Sequence, residues 1–422
     1  MRAFHMAWFA FFLCFFGWFG VAPLMAIIRD ELHLTKTQIG NTMIASVAIT
    51  IVGRLVVGWL CDRFGPRRTY AGLLLGGALP VLLIGLAHDY TTFLLFRLAI
   101  GMIGASFVIT QYHTSVMFAP EVVGTANAMT AGWGNLGGGA TQILMPLLFG
   151  LFVGAGVSQF WSWRLSMAVV GVAMLVTGVL YLRLTSDTPD GNLDVIDAQE
   201  NGSREASAAF WNALKDSRVW ALFVLYGACF GMELTIDNVA ALYFHDSFHL
   251  SLQSAGIVAG SFGMMNLFAR ALGGYASDRA AARLGLRGRV WLLTGTIFLE
   301  GIALMTFSRL HVLWVAVVTL LVSGLFVKMS NGATYAIVPF VKRNGLGAVA
   351  GIVGAGGNTA AMAAGFLFKS EHLPWSSALL ICGAFVTLAS LCTIPLASLT
   401  RASDSPANME ETCRLADYEF SA

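Results

Sequence analysis

Charge is what this sequence has least of. Asp, Glu, Lys and Arg make up 11% of its 422 residues, whereas a soluble domain carries about a quarter. A soluble chain of this length would form two or three domains, each needing a charged exterior that is not there. Cysteine is sparse and scattered. Cys14, Cys61, Cys229, Cys382, Cys392 and Cys413 lie mostly within apolar runs and spell neither a metal cluster nor a disulfide ladder. No glycine-rich phosphate loop ends in Gly-Lys-Ser or Gly-Lys-Thr, which argues against nucleotide hydrolysis as an energy source. The eight histidines are dispersed and form no His-Glu-x-x-His pair. A membrane enzyme would need a cluster of nucleophile, base or metal ligands, and none is legible, so neither a metal nor a cofactor is expected. A net charge of +2 gives no footing for nucleic acid.

What the chain has is apolar surface. Hydrophobic residues are 57% of the sequence, and the mean hydropathy is +0.73. Its 46 Gly, 17 Met and 30 Phe suit lipid-embedded helices that pack through small residues. The first apolar run, Met6 to Ile28, is long for a signal peptide and lacks a clear small-residue cleavage site, so it reads as a first span. Runs of about 20 residues, the length that crosses the hydrocarbon, follow over Ile39–Leu60, Thr69–Leu86, Thr91–Phe118, Val122–Leu148 and Trp163–Leu182. A polar stretch from Thr185 to Lys215 interrupts them. Six more runs cover Val219–Phe244, Leu252–Ala276, Val290–Phe307, Leu310–Val338, Gly345–Phe368 and Ser376–Leu396, before a polar tail.

The expectation is an all-α membrane protein of twelve transmembrane helices. Its parts are a six-helix half over 1–184, a cytoplasmic linker over 185–217, a second six-helix half over 218–398 and a tail over 399–422. If both termini and the linker are cytoplasmic, sixteen Lys and Arg residues fall on that side. Four (Arg29, Lys36, Arg309 and Lys369) fall on the other, the bias that the positive-inside rule demands.

The two halves repeat one another. GRLVVGWLCDRFGPRR carries Arg54, Gly58, Asp62 and Arg63, and ARALGGYASDRAAARLG carries Arg270, Gly274, Asp278 and Arg279 at one constant offset. AGWGNLGGGATQ, centred on Asn135, is matched by VGAGGNTAAMAAG, centred on Asn358. Duplicated halves are a common transporter plan, although a duplicated channel or membrane enzyme stays open at this point.

These residues carry a family resemblance. The Gly-x-x-x-Asp-Arg-x-Gly-x-Arg pattern from Gly58 to Arg67 resembles the loop signature between helices 2 and 3 of the major facilitator superfamily. Arg97 and Gly101 are similar to a second pattern of that superfamily. The two glycine–asparagine segments look like the paired nitrate signatures of the nitrate/nitrite porter family. GMELTIDNVAALYF is similar to the high-affinity nitrate transporters of plants, algae and some bacteria. The resemblance runs from Ala7 to Leu396; the second loop motif lacks the glycine two places after Arg279, and the linker is short.

The resemblance implies a major facilitator-like fold in two pseudo-symmetric halves, and alternating-access transport of nitrate and also nitrite. It favours proton-coupled import for nitrogen assimilation, the alternative being a nitrate/nitrite antiporter or a carrier of another small inorganic anion. Nitrate, nitrite, protons and bilayer lipid are the implied partners, in the plasma or inner membrane. A monomer would suffice, and a small accessory membrane subunit remains open. The matching arginines, Arg54 and Arg270, would contact the anion, and Asp62, Arg63, Asp278 and Arg279 would form interdomain salt bridges that latch one state.

The chemistry of the residues leaves alternatives. Arg54 lies about 12 Å along helix 2 from Asp62, and an arginine near the bilayer centre costs about 3 kcal/mol on insertion scales. Either both arginines snorkel or pair with Glu233, Asp237 or Glu300, or they clamp an anion between the halves. A guanidinium is planar and permanently charged, and can meet two oxygens of nitrate at once. Asn135 and Asn358 either glue helices together or donate to the anion. Gly132, Gly134, Gly137, Gly138, Gly139, Gly354, Gly356 and Gly357 allow close backbone approach and would shape the path. Phe107, Tyr112 and Tyr335 either line that path or pack in the core, and His113 is a proton carrier or a hydrogen-bonded helix residue. Lys328 attracts anions or pairs with an acid such as Glu300. Glu233 and Asp237, one turn apart on helix 7, resist simultaneous ionisation in a poorly hydrated site and are candidates to carry a coupled proton. The competing readings are that Glu233 lies near the helix end, or that either acid neutralises an arginine.

Overall fold

The computed structural model describes residues 1–192, 210–341 and 346–396. The expected tail and much of the linker lie outside the described residues. Regular structure among the described residues is helical, apart from an isolated bridge between Thr188 and Gly191. The first span, α1, is Arg2–Leu32, interrupted at Ala22–Leu24 by a tighter turn around Pro23, which has no N–H for the helical ladder. The next stretch is too long for one crossing: its 48-residue helix Lys36–Leu83 would measure about 72 Å against a hydrocarbon core of about 30 Å. It breaks at Gly65 (φ 79°, ψ 158°), giving α2 (36–64) and α3 (66–86). Glycine is needed there twice over. The conformation disfavours a side chain, and the space a Cβ would fill is taken by the Asp187 carboxylate, which accepts the Arg67 N–H at 2.8 Å and caps α3.

The remaining spans are α4 Tyr90–Met117, α5 Pro120–Gly154, α6 Gln159–Leu184 and α7 Ser217–Phe248, then α8, made of Leu252–Leu267 and Ala269–Leu284 with a 40° bend. They end with α9 Leu286–Phe307, α10 Leu313–Val341, α11 Leu346–Phe368 and α12 Trp375–Leu396. The twelve-span expectation holds. Outward faces are apolar, as at Leu55, Leu79, Leu95, Leu151, Val318 and Leu388, which suits lipid and not water.

The repeat reaches into local conformation. His33 and His249 are the non-glycine residues with positive φ among those described, at 50° and 54°. Each ends a helix in the left-handed region and is followed by Leu and then a hydroxyl residue, Thr35 or Ser251, whose side chain caps the next helix.

Between the first six and last six spans, α2 packs on α11 and α5 on α8. The hydrogen bonds and ion pairs that join them cluster at the end of the bundle away from the linker. Arg29 Nη1 pairs with Asp246 Oδ2 at 2.6 Å. The Thr37 hydroxyl donates to Glu371 Oε1 at 2.7 Å, and the Lys36 ammonium donates to the Leu373 carbonyl. The Thr37 hydroxyl and N–H hold the Glu371 carboxyl below the usual range. Among the described residues, no such bond joins the two sets of spans on the linker side of Arg54. Among the described residues, the bonds between the two sets lie at the far end and at mid-depth.

Candidate functional site

The four helices that pair across the bundle carry the four residues expected to bind substrate: Arg54 on α2, Asn135 on α5, Arg270 on α8 and Asn358 on α11. Arg54 Nη1 donates to the Gly354 carbonyl of α11 at 2.8 Å. With the Asn358 amide turned so that its oxygen faces the guanidinium, that oxygen accepts from Nη1 and Nε, each at 3.2 Å. The guanidinium also lies 5.7 Å from the Phe107 ring. Arg270 Nη2 donates to the Tyr226 hydroxyl at 3.3 Å, while its Nη1 is buried with no acceptor on the protein. Tyr335 stands near both arginines and packs edge-on against Tyr226, ring centres 5.0 Å apart. Neither arginine has a carboxylate at ion-pair distance among the described residues. Two permanent cations thus face a pair of tyrosines, one with a donor left unsatisfied. Asn135 is buried too, with neither its amide nitrogen nor its oxygen bonded.

The glycines do something more specific than expected. Gly137 backs onto the main chain of Phe12 and Gly134 onto the Phe11 ring, both on α1. Gly139 meets the main chain of Gly263 on α8; Gly356 and Gly357 meet the Phe223 main chain and the Phe230 ring on α7. These residues set how closely helix pairs approach. Gly354 borders the arginine site, where a Cβ would stand 3.2 Å from Arg54 Nη1, and Gly138 borders Asp237 at 3.1 Å. The neighbour nearest Gly132 is the Asn266 carbonyl.

Glu233 and Asp237 are both buried in the middle of α7, so Glu233 is not a helix-end residue. Its partner is Lys328 of α10, with Nζ to Oε1 at 2.7 Å, and not an arginine. Asn266 donates to Glu233 Oε1 at 2.7 Å and Asn331 to Oε2 at 2.6 Å. This answers the ambiguity of Lys328: it pairs with Glu233, while Glu300 of α9 lies nearby, fully buried. Asp237 is different. Its Oδ1 is buried without a partner, and its main-chain carbonyl accepts from Gln142 of α5 at 2.6 Å.

His113 is a bonded helix residue, its two ring nitrogens engaged by the Tyr181 hydroxyl at 2.6 Å and the Ser186 carbonyl at 2.8 Å. Tyr112 sits beside Asp62 near the linker end, away from the arginines. The loop-motif residues make no bridge between the halves in this arrangement. Asp278 pairs with Arg289 of α9 at 2.6 Å, within the last six spans, and Arg63 lies over the Trp59 and Phe64 rings. A cavity of about 380 Å³ between Met1, Phe4, Phe118 and Ser186 holds none of the candidate residues.

Sequence reasoning missed Tyr226, Asn266 and Asn331. The two buried amides carried the same signal as Asn135, a polar residue inside an apolar span. Tyr226 carried none, being one aromatic among many.

The description of the Major Facilitator Superfamily matches residues 7–341. High affinity nitrate transporter 2.5 of Arabidopsis thaliana is 42% identical over 371 residues, covering 87% of this chain and 74% of that protein. Nitrate transporter 2.1 of Chlamydomonas reinhardtii is 39% identical, with 94% and 74% covered. The chain belongs to the nitrate/nitrite transporter family of this superfamily. The family also includes nitrate/nitrite transporter NrtP of Nostoc punctiforme, 30% identical over 85% of this chain and 84% of that one. Membership makes the protein a multi-pass membrane transporter and not an enzyme. The fold is that of a bacterial homolog of the human lysosomal transporter Spinster, with a TM-score of 0.71, 14% identity and 96% and 98% of the two chains covered.

Proposed function

We propose that this protein carries nitrate, and nitrite with it, across a cell membrane by secondary transport, with the first and last six spans rocking about a central anion site. The observation that carries this reading is the pair Arg54 and Arg270, repeat-related, set beside the same tyrosine and without an ion-pair partner among the described residues. A buried cation without a counter-charge is costly, and a bound monoanion supplies that charge. The planar fork of each guanidinium matches the planar oxygens of nitrate. The buried donors Arg270 Nη1 and Asn135 Nδ2 have no acceptor on the protein, and both suit a ligand oxygen.

On this reading the linker end is cytoplasmic, as the Lys and Arg bias favours, and Asp62, Arg63, Asp278 and Arg279 latch that end when the far end opens. The protein works as a monomer in the plasma or inner membrane, and import is driven by protons through the α7 carboxylates. The test is uptake of labelled nitrate into proteoliposomes holding the purified protein. Uptake with competition by nitrite and none by neutral sugars is expected; sugar uptake without any nitrate effect overturns the reading. Counterflow against preloaded nitrate separates a carrier from a channel. Uptake that depends strictly on internal nitrite identifies an exchanger and overturns proton-driven import.

A further inference from the structure

The two α7 carboxylates, expected from sequence to act alike, have different surroundings. Glu233 is fully engaged: Lys328 Nζ, Asn266 Nδ2 and Asn331 Nδ2 all lie within 2.7 Å of its oxygens. Its partners come from α8 and α10, so the whole cluster belongs to the last six spans and moves as one body. Such a group is an anchor, since removing it leaves Lys328 buried without its partner.

Asp237 sits one turn further along, at the boundary between the two sets of spans. Its Oδ2 lies against Gly138 of α5, its main-chain carbonyl accepts from Gln142 of α5, and the next residue, Asn238, accepts from Arg97 of α4 at 3.3 Å. Its Oδ1 has no donor. The charged groups around it are few. Lys328 of α10 is already paired, and Glu233 of α7 is an anion. Arg97 of α4 directs its two terminal nitrogens to the Trp18 carbonyl, Ser46 and Asn238, and not to the Asp237 carboxylate. From α5 come Gly138 and the uncharged Gln142, and from α1 the Phe19 ring that also packs on Gly138. A carboxylate with an unsatisfied oxygen in such a place gains from taking up a proton. Both oxygens of Glu300 on α9 also lack a partner, but its neighbours Ser330, Lys328 and Glu233 all belong to the last six spans, whereas Asp237 borders α5. A rocking motion of α5 against α7 would alter its surroundings, while leaving those of Glu233 unchanged.

We infer that Asp237 is the residue that carries the exchangeable proton, and that Glu233 with Lys328 is a fixed ion pair that positions α7, α8 and α10 around it. This rests on proton-driven transport as proposed above. The experiment measures steady-state accumulation of labelled nitrate in proteoliposomes under an imposed pH gradient, acidic outside, with the membrane potential clamped. In the wild-type protein each coupled proton adds about tenfold accumulation per pH unit. Asp237→Asn is expected to abolish the dependence on the gradient. The double variant Glu233→Gln with Lys328→Met is expected to keep it, at a lower rate. Asp237→Glu, which retains a titratable group one methylene displaced, is expected to stay gradient-driven with its external-pH midpoint shifted, and covers the case in which the asparagine variant does not fold. Asp237→Asn that still follows the gradient, Asp237→Glu with an unshifted midpoint, or a folded double variant that has lost the dependence each overturns the assignment while leaving proton coupling intact. A wild-type protein indifferent to the gradient overturns the coupling itself.

Discussion

The first six and last six spans share a scaffold and differ in what they bury. Each set keeps an arginine on its second helix and a histidine turn between its first and second helices. The interior of the first set is aromatic: α1 buries Phe11, Phe15, Phe16, Trp18 and Phe19, and the buried cation Arg97 donates to a carbonyl, a serine and an asparagine while its Nε has no partner. The last set buries Glu233, Asp237, Glu300 and Lys328 in the same layer. Even the twin arginines diverge, since Arg54 reaches across the bundle to α11 while Arg270 bonds within its own set. The repeat-related arginines thus come one from each set, whereas the acidic residues buried within the spans come from the last.

That contrast can be broken most severely at Lys328. Lys328→Met leaves Glu233 as a buried uncompensated anion and should cost about 3–5 kcal/mol of stability, read as a large fall in the detergent melting temperature. Adding Glu233→Gln should restore most of the loss, because a neutral pair needs no counter-charge. The arginine pair comes next. Arg270→Lys should weaken nitrate binding about 10- to 100-fold, the worth of one or two charge-assisted hydrogen bonds. Arg54→Lys should lose somewhat less, since Gly354 and Asn358 can still hold an ammonium; calorimetric titration of both variants orders them. Equal affinity for wild type and both variants would remove the clamp.

Packing between the sets offers a milder test. Gly139→Ala drives a methyl into the Gly263 main chain and should cost about 1–3 kcal/mol and slow transport. Gly72→Ala, with nothing within 4 Å, should be close to neutral in both assays. The smallest effect is expected at the far end. Arg29→Ala removes a half-exposed ion pair with Asp246, worth about 0–1 kcal/mol, and should shift the balance toward the state open at that end, visible as faster labelling of a cysteine placed at Thr37.

Much of the fold was legible in advance, because crossing lipid imposes a length and an apolarity that a sequence cannot hide. The repeat of Arg54 and Arg270 was legible for a related reason, since a cation in an apolar span stands out. The glycine signatures were visible as motifs but not as contacts: that Gly139 faces Gly263 depends on how α5 crosses α8. Tyr226 was missed because nothing distinguishes it from the other aromatics until Arg270 is seen donating to its hydroxyl.

The sequence by itself determined that this is a membrane-embedded α-helical bundle of twelve spans with repeat-related arginines on the second helix of each six. Those follow from hydrophobicity and periodicity, which are local properties of the chain. Tertiary structure alone decided the partners. Glu233 and Asp237 are indistinguishable along α7, yet one meets Lys328 from a helix nearly a hundred residues away and the other meets Gly138 across the bundle. The cost of a buried charge is set by what lies within a few ångströms of it, and only folding brings those neighbours together.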